Sequence, residues 1–294
     1  MLLDVVTVCT HDEGWYAALH ASCQRHGLQL TVLGWGERWR GFNWKFHLMR
    51  EYLAKVPADR LVAFVDAYDV IVLCDAREIV RRFRKLTSGG PEQDIVLGVE
   101  NPLGDRLVGF VKGIPFRPCG DFIINSGVYM GTAGRLRRML ALLPDGEDKD
   151  DQKLLNNACR GWAHSFFQDH AVLDASACLI FNANCTHLSG YVGSIRCRSV
   201  GLDPENLVNP RTGKVPCFLH MPGGLDMDPC CRALGLPLGK PRPRVRWRVS
   251  NVYPERYGGL CAPWAQRPPG TMPCAAVVLL IVVLLTALMR TLHT

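Results

Sequence analysis

Two carboxylates, Asp66 and Asp69, stand three residues apart in Phe64-Val65-Asp66-Ala67-Tyr68-Asp69-Val70, directly behind the apolar run Leu61 to Val65. Acids placed beyond a buried strand offer hard oxygen ligands to a divalent cation, and such a cation could neutralise a diphosphate. The plainer alternative makes Asp66 a turn residue and Asp69 a solvated acid. A second acidic cluster runs Asp145, Glu147, Asp148, Asp150, Asp151 and then Gln152. It fits either sugar-side chemistry or an ordinary helix start, where acids meet the positive end of the dipole. His220 closes the apolar triplet Phe218-Leu219-His220 just before Pro222 and is either a metal ligand or a hydrogen-bonded structural residue. Asn125-Ser126-Gly127 interrupts an apolar run and predicts a kink where a ligand approaches the backbone. Neither a GxSxG elbow, a GxxxxGK[ST] loop nor HExxH occurs, which disfavours hydrolase, P-loop and zinc-protease chemistry. Gly34-Trp35-Gly36 is an incomplete dinucleotide fingerprint.

These residues need a frame. Leu2 to Cys9 predicts a strand, Trp15 to His26 a helix, Leu28 to Leu33 a second strand and Asn43 to Lys55 a second helix. Leu61 to Val65 is apolar throughout, as a central parallel strand should be. Asp75 caps a helix to about Leu86, and Asp94 to Val99 returns as a strand. Asn101 to Gly120 is a Gly/Pro-rich loop with the composition of a lid. Phe122 to Met130 predicts a strand, and helices follow from Gly134 and Asp148. Short strands are expected up to His220, with little regular structure from Pro222 to Met272. This alternation predicts an α/β sheet with right-handed crossovers.

The chain has 294 residues, 48% hydrophobic and 21% charged, enough to bury a core and inconsistent with disorder or a repeat polymer. Its formal charge of +7 is concentrated between Arg232 and Arg267, where about eight Lys/Arg face one acid, Glu255, so the main body is near neutral. That distribution excludes nucleic acid as the expected partner. Immediately downstream, the uncharged run Ala275 to Met289 predicts a C-terminal membrane anchor over 274–290, preceded by a basic Pro/Gly-rich linker over 225–273. No secretory leader is legible at Met1-Leu2-Leu3, so the body is expected to face the cytosol, with the ER or Golgi lumen as alternative. Thirteen cysteines without a CxxC disfavour structural zinc, and a cytosolic body disfavours disulfides.

In combination and in order, VTVCTHDEGW, LTVLGWGERWRG, FVDAYDVIVL, FIINSGVYMG, DDQ and LDASACLIFNAN, followed by a late strand ending in His, resemble the glycosyltransferase domain of the multifunctional procollagen lysyl hydroxylases over residues 1–224. The resemblance implies an α/β GT-A (Rossmann-like) fold and transfer of glucose or galactose from UDP-glucose or UDP-galactose with manganese and with retention of configuration. The family's acceptor is hydroxylysine or galactosyl-hydroxylysine of collagen-like protein. Carried over by residue, the resemblance assigns Asp66, Asp69 and His220 to the metal and Trp39 and Tyr68 to the uridine. It sets Lys45 near the donor, with Asn125 on the donor side, and Asp150 and Asp151 beside the transferred sugar. The chain departs from the family at Leu48, where a tryptophan is usual, and at Met221-Pro222-Gly223, where Gly-Asn-Gly follows the histidine. No hydroxylase activity is expected. A catalytically inactive nucleotide-sugar binder and a membrane scaffold are the competing readings.

Overall fold

The structure is a computed structural model that describes residues 2–89, 94–100, 118–145, 150–183, 207–209, 212–222 and 226–240. The lid expected over 101–120 therefore falls almost wholly outside the described residues, as do 241–273 and the apolar run 274–290. Among the described residues no helix is long and apolar enough to cross a membrane.

A six-stranded mixed sheet forms the frame. Its strands are β1 (Leu3–Val8), β2 (Leu30–Leu33), β3 (Leu61–Val65), β5 (Ile95–Val99), β6 (Ile124–Thr132) and β7 (Ala171–Leu173), in the order β2-β1-β3-β6-β5-β7. The sheet expected from the βαβ alternation is not wholly parallel. β6 runs antiparallel to both β3 and β5. β3 shows why its sequence is apolar on every position: Val62 and Phe64 enter the core on one face, Leu61, Ala63 and Val65 the core on the other. The first face is closed by α2 (Trp44–Ala54), α4 (Ala133–Ala141), α5 (Asp151–Arg160) and α6 (His164–His170), the second in part by α1 (Tyr16–Arg25) and α3 (Ala76–Leu86).

A second sheet of three short strands, β4 (Val70–Val72), β9 (Phe218–His220) and β8 (Ile180–Asn182), lies against this frame in the order β4-β9-β8. β4 and α6 are too short for a periodicity argument, and the sequence pattern did not predict them. The register pairs Val70 with His220 and His220 with Asn182, so this small sheet brings together residues from three distant parts of the chain.

Two expectations are corrected. The stretch expected to be irregular after Pro222 contains α7 (Asp228–Leu234), a helix with Pro229 in its first turn and left-handed Gly235 at its end. Cys230 and Cys231 are buried in a core with Ala18, Ile71 and Phe181. Asp228 accepts a hydrogen bond from Trp15 Nε1 at 2.8 Å, and Gly14 pairs with Lys240. The packed body thus continues to Lys240, into the residues read as the start of a linker. The second correction concerns cysteine: Cys119 and Cys159 form a disulfide, which ties the entry of β6 to the end of α5 across 40 residues.

Candidate active site

β3 ends at Val65, and the chain turns out of the sheet with Asp66 N donating to Gly127 O at 2.7 Å. The turn delivers Asp66 and Asp69 to the carboxyl end of the sheet, where open α/β sheets hold their ligands. β4 then starts at Val70, and its pairing with β9 brings His220 alongside; Met221 N donates to Asp69 O at 2.8 Å and locks that register. The ligand atoms of Asp66, Asp69 and His220 all lie within 4.8 Å of one another.

The histidine is prepared to bind a cation. Asn182 Nδ2 donates to Val99 O at 2.8 Å, which turns Asn182 Oδ1 toward His220 Nδ1 at 2.7 Å. An amide oxygen can only accept, so Nδ1 carries the proton and Nε2 presents its lone pair. Nε2 is sealed from solvent without a hydrogen-bond partner, 3.4 Å from Asp69 Oδ1 and 3.9 Å from Asp66 Oδ2. Burial disfavours protonation of this ring, but Asp69 and Asp66 outweigh it and make His220 more basic than a free imidazole. A buried lone pair facing two carboxylates is a site that calls for a positive charge. Space has been left for one: a Cβ on Gly127 would stand 2.2 Å from His220 Cε1, 2.7 Å from Nε2 and 2.8 Å from Asp66 Oδ2. The residues present fit a divalent metal ion.

Lys45 occupies the first turn of α2 and is 4% exposed. Its ammonium lies 2.7 Å from Asp66 Oδ1 and 2.7 Å from Asp151 Oδ2, between the metal cradle and the second acid. Burial pulls its pKa down, but Asp151 and Asp66 raise it further than burial lowers it, so the group stays charged. Asp66 keeps 23% of its side-chain surface, yet desolvation dominates its titration and pushes it up to about 6 against the pull of Lys45. Asp66, Asp69 and Asp151 carry three negative charges against the one of Lys45, and the remaining −2 matches a divalent cation.

The two adjacent aspartates have different fates. Asp150 is the N-cap of α5, its Oδ1 accepting from Lys153 N at 2.9 Å. Asp151 is 4% exposed and faces Lys45. Asn125 is also inward-facing: its Oδ1 accepts from Gly127 N at 2.8 Å and its Nδ2 donates to Glu100 Oε1 at 3.0 Å, so it shapes the kink behind the cradle. Tyr68 is pinned from the other side, its hydroxyl accepting from Thr10 N at 3.2 Å. Trp39, in the loop after β2, packs edge-on against Phe42 and Trp44, with its indole N–H buried and unpaired.

Two residues of this site, Glu100 and Asn182, were given no role by the sequence pattern, and Gln152 was noted there only as the neighbour of the aspartates. Glu100, at the end of the buried strand β5, accepts from Asn125 and from Gln152 Nε2 at 3.2 Å and links β5 to α5. It carries the signal that singled out Asp66, a carboxylate directly after an apolar strand. Gln152 follows the aspartates already noted. Asn182 is the lone amide inside the run Cys178 to Ala183, and its 0% exposure marks it as structurally committed.

The sequence matches the family described as the PLOD GT domain over residues 1–220. The multifunctional procollagen lysine hydroxylase and glycosyltransferase of Caenorhabditis elegans is 30% identical over 162 residues, 52% of this chain and 22% of the relative. A protein of Acanthamoeba polyphaga mimivirus is 27% identical over 226 residues, 73% of this chain and 44% of the relative. The chain thus spans less than half the length of these relatives. Among solved structures, a glycosyltransferase involved in glycosylation of the major capsid of PBCV-1 is similar at 13% identity and a TM-score of 0.40, covering 76% of this chain and 96% of its own. A galactosyltransferase solved with donor and acceptor sugar analogs is similar at 14% identity and a TM-score of 0.41, covering 75% and 87%. With the match spanning the strands and loops that build the Asp66–Asp69–His220 cradle, the chain belongs to the PLOD GT domain family and carries a glycosyltransferase domain of the GT-A fold.

Proposed function

We propose that this chain is a metal-dependent glycosyltransferase that moves glucose or galactose from UDP-glucose or UDP-galactose to a hydroxyl acceptor. The observation that carries the reading is the orphaned Nε2 of His220 facing Asp66 and Asp69, with Lys45 and Asp151 behind them. Asp66, Asp69 and His220 would hold manganese, which when bound supplies Lewis-acid neutralisation of a diphosphate. Asn182 fixes the imidazole tautomer. Lys45 holds the carboxylates of Asp66 and Asp151 at fixed separation and offers a desolvated positive charge toward a departing anionic group. Asp151, buried at the far side of that lysine, would act on the transferred sugar, and Trp39 and Tyr68 would pack against the uracil ring.

The name of the Caenorhabditis elegans relative joins procollagen lysine hydroxylation to glycosyl transfer, which supports hydroxylysine as an acceptor; its galactosyl form and retention of configuration rest on the family resemblance alone. A second observation bears on location. The Cys119–Cys159 disulfide favours an oxidising compartment, so the lumenal alternative is the one we propose, with the apolar run 274–290 as a membrane anchor. Protease added to intact microsomes should spare the catalytic body; its digestion would put the body in the cytosol.

The function is tested by screening UDP-sugars for manganese-dependent release of UDP, with and without hydroxylysine peptides. Asp66→Ala and Asp69→Ala should each abolish release while the protein stays folded. If UDP raises the melting temperature but no sugar is released under any condition, the chain is a binder and the enzymatic reading fails.

A further inference from the structure

The sheet that carries His220 has a second end, and there the charge is reversed. A cleft of about 360 Å³ opens between α3 on one side and, on the other, the loop at Ser176–Cys178 and the turn at Thr212–Lys214. Its polar lining is Arg81, Arg82, Lys85, Lys214, Ser176 and Thr212, and Leu86 and Cys178 complete the wall. Cys178 and Val215 precede the first residues of β8 and β9, whereas Asn182 and His220 are the last. The cleft and the metal cradle are therefore separated along the strands by roughly 10 Å or more.

The floor is built rather than incidental. Arg82 is 9% exposed, and its guanidinium staples three segments: Nε donates to Glu78 at 2.7 Å, Nη1 to Cys178 O at 2.6 Å and to Val215 O at 2.7 Å. Nη2 makes no hydrogen bond among the described residues and is not among the sealed atoms, so it keeps accessible surface on a residue that lines the cleft. The opposite wall is held by Asn209, whose Nδ2 donates to Ser176 O and Ala177 O, both at 3.0 Å.

The acids nearby are already occupied. Glu78 takes both Arg81 and Arg82, and these two cations hold its carboxyl down at about 2. Asp174, beneath the loop, accepts from Ser176 Oγ and from the amides of Cys178, Leu179 and Ile180. Lys85 and Lys214 have no carboxylate within 4.0 Å among the described residues, and Thr212 Oγ1, which accepts from Lys214 N at 3.4 Å, keeps its proton to donate. Cations in the last turn of α3 complement the helix dipole, which accounts for Lys85. The dipole does not account for Lys214 on the facing wall, nor for the unpartnered Nη2 between them.

We propose that this cleft is a second ligand site, distinct from the metal cradle, that binds a small phosphate-bearing molecule of sugar-phosphate size. A planar guanidinium edge flanked by two mobile ammonium groups and a hydroxyl donor matches the three oxygens of a phosphate monoester. The cavity volume exceeds that of a phosphate alone and leaves room for the group it is attached to.

The probe is glucose 6-phosphate, titrated by calorimetry into the full chain in EDTA and 150 mM salt. EDTA removes any metal from the cradle, and the salt screens diffuse surface attraction. Saturable binding is expected, with glucose itself silent. The double variant Lys85→Ser/Lys214→Ser, altered only at exposed side chains, should bind at least about tenfold more weakly, while Asp66→Asn should bind like wild type. Absence of binding to the wild type overturns the proposal, as does unchanged affinity in the double variant. Loss of binding in folded Asp66→Asn would locate the ligand in the cradle and overturn it equally. Tighter capture of a poly-glutamate peptide than of the phosphate ester would make the cleft a protein contact and not a small-molecule site.

Discussion

Gly127→Ala isolates the metal cradle from everything around it. Gly127 is not held in the left-handed region, so alanine costs no backbone strain there and should even stabilise the fold slightly by restricting the unfolded chain, by about 0.4–1 kcal/mol. The added methyl would instead meet His220 Cε1 at 2.2 Å, where ordinary contact begins at 3.4 Å, so the ring must withdraw by about 1 Å. It cannot do so freely. His220 is 2% exposed, its Nδ1 is bound to Asn182, and its backbone is paired on both sides. Overpacking of this kind costs about 1–3 kcal/mol, which leaves a net loss of stability between about 0 and 2.6 kcal/mol. Metal affinity should suffer more, because ligand positions tolerate only about 0.2 Å. We expect manganese to bind on the order of 100-fold more weakly, equivalent to about 2.7 kcal/mol. The assay is calorimetric titration of manganese into the wild type and the Gly127→Ala variant, beside thermal unfolding of both. A folded variant that binds manganese within twofold of wild type refutes the cradle.

Asp150→Ala should lower stability by about 1 kcal/mol through loss of the cap on α5 and change kcat for UDP-sugar consumption by less than twofold, whereas Asp151→Asn should lower kcat by about 100-fold. Equal effects in the two variants would undo this division. Asn182→Leu frees the His220 ring to place its proton on Nε2, so manganese affinity should fall about 10–100-fold and the nitrogen shifts of the ring should report the changed tautomer; unaltered shifts would dismiss Asn182 as its anchor. Cys119→Ser/Cys159→Ser opens a 40-residue loop worth up to about 4 kcal/mol of unfolded-state entropy, visible as a lower urea midpoint that reductant no longer shifts. A variant as stable as the oxidised wild type would mean the bond contributes nothing.

Local pattern alone made much of this protein legible. The residue-by-residue apolarity of Leu61–Val65 specified a strand buried on both faces, and the two acids behind it could only emerge at the sheet's carboxyl end. The helix start at Asp75 followed from cap chemistry, which acts over three residues, whereas the acid-led helix expected from Asp148 takes its cap at Asp150. Tertiary structure decided what required distant partners. Asp150 and Asp151 are both acids at the head of one helix, and only the folded chain makes one the cap of α5 and the other the partner of Lys45, 106 residues away. The β4–β9–β8 ladder is too short to show periodicity, yet it joins Asp69, His220 and Asn182, because hydrogen-bond register is a property of strand pairs and not of any strand. The direction of β6, the Cys119–Cys159 pairing and the docking of α7 onto Trp15 are decided in the same way, by contacts whose two halves lie far apart along the chain.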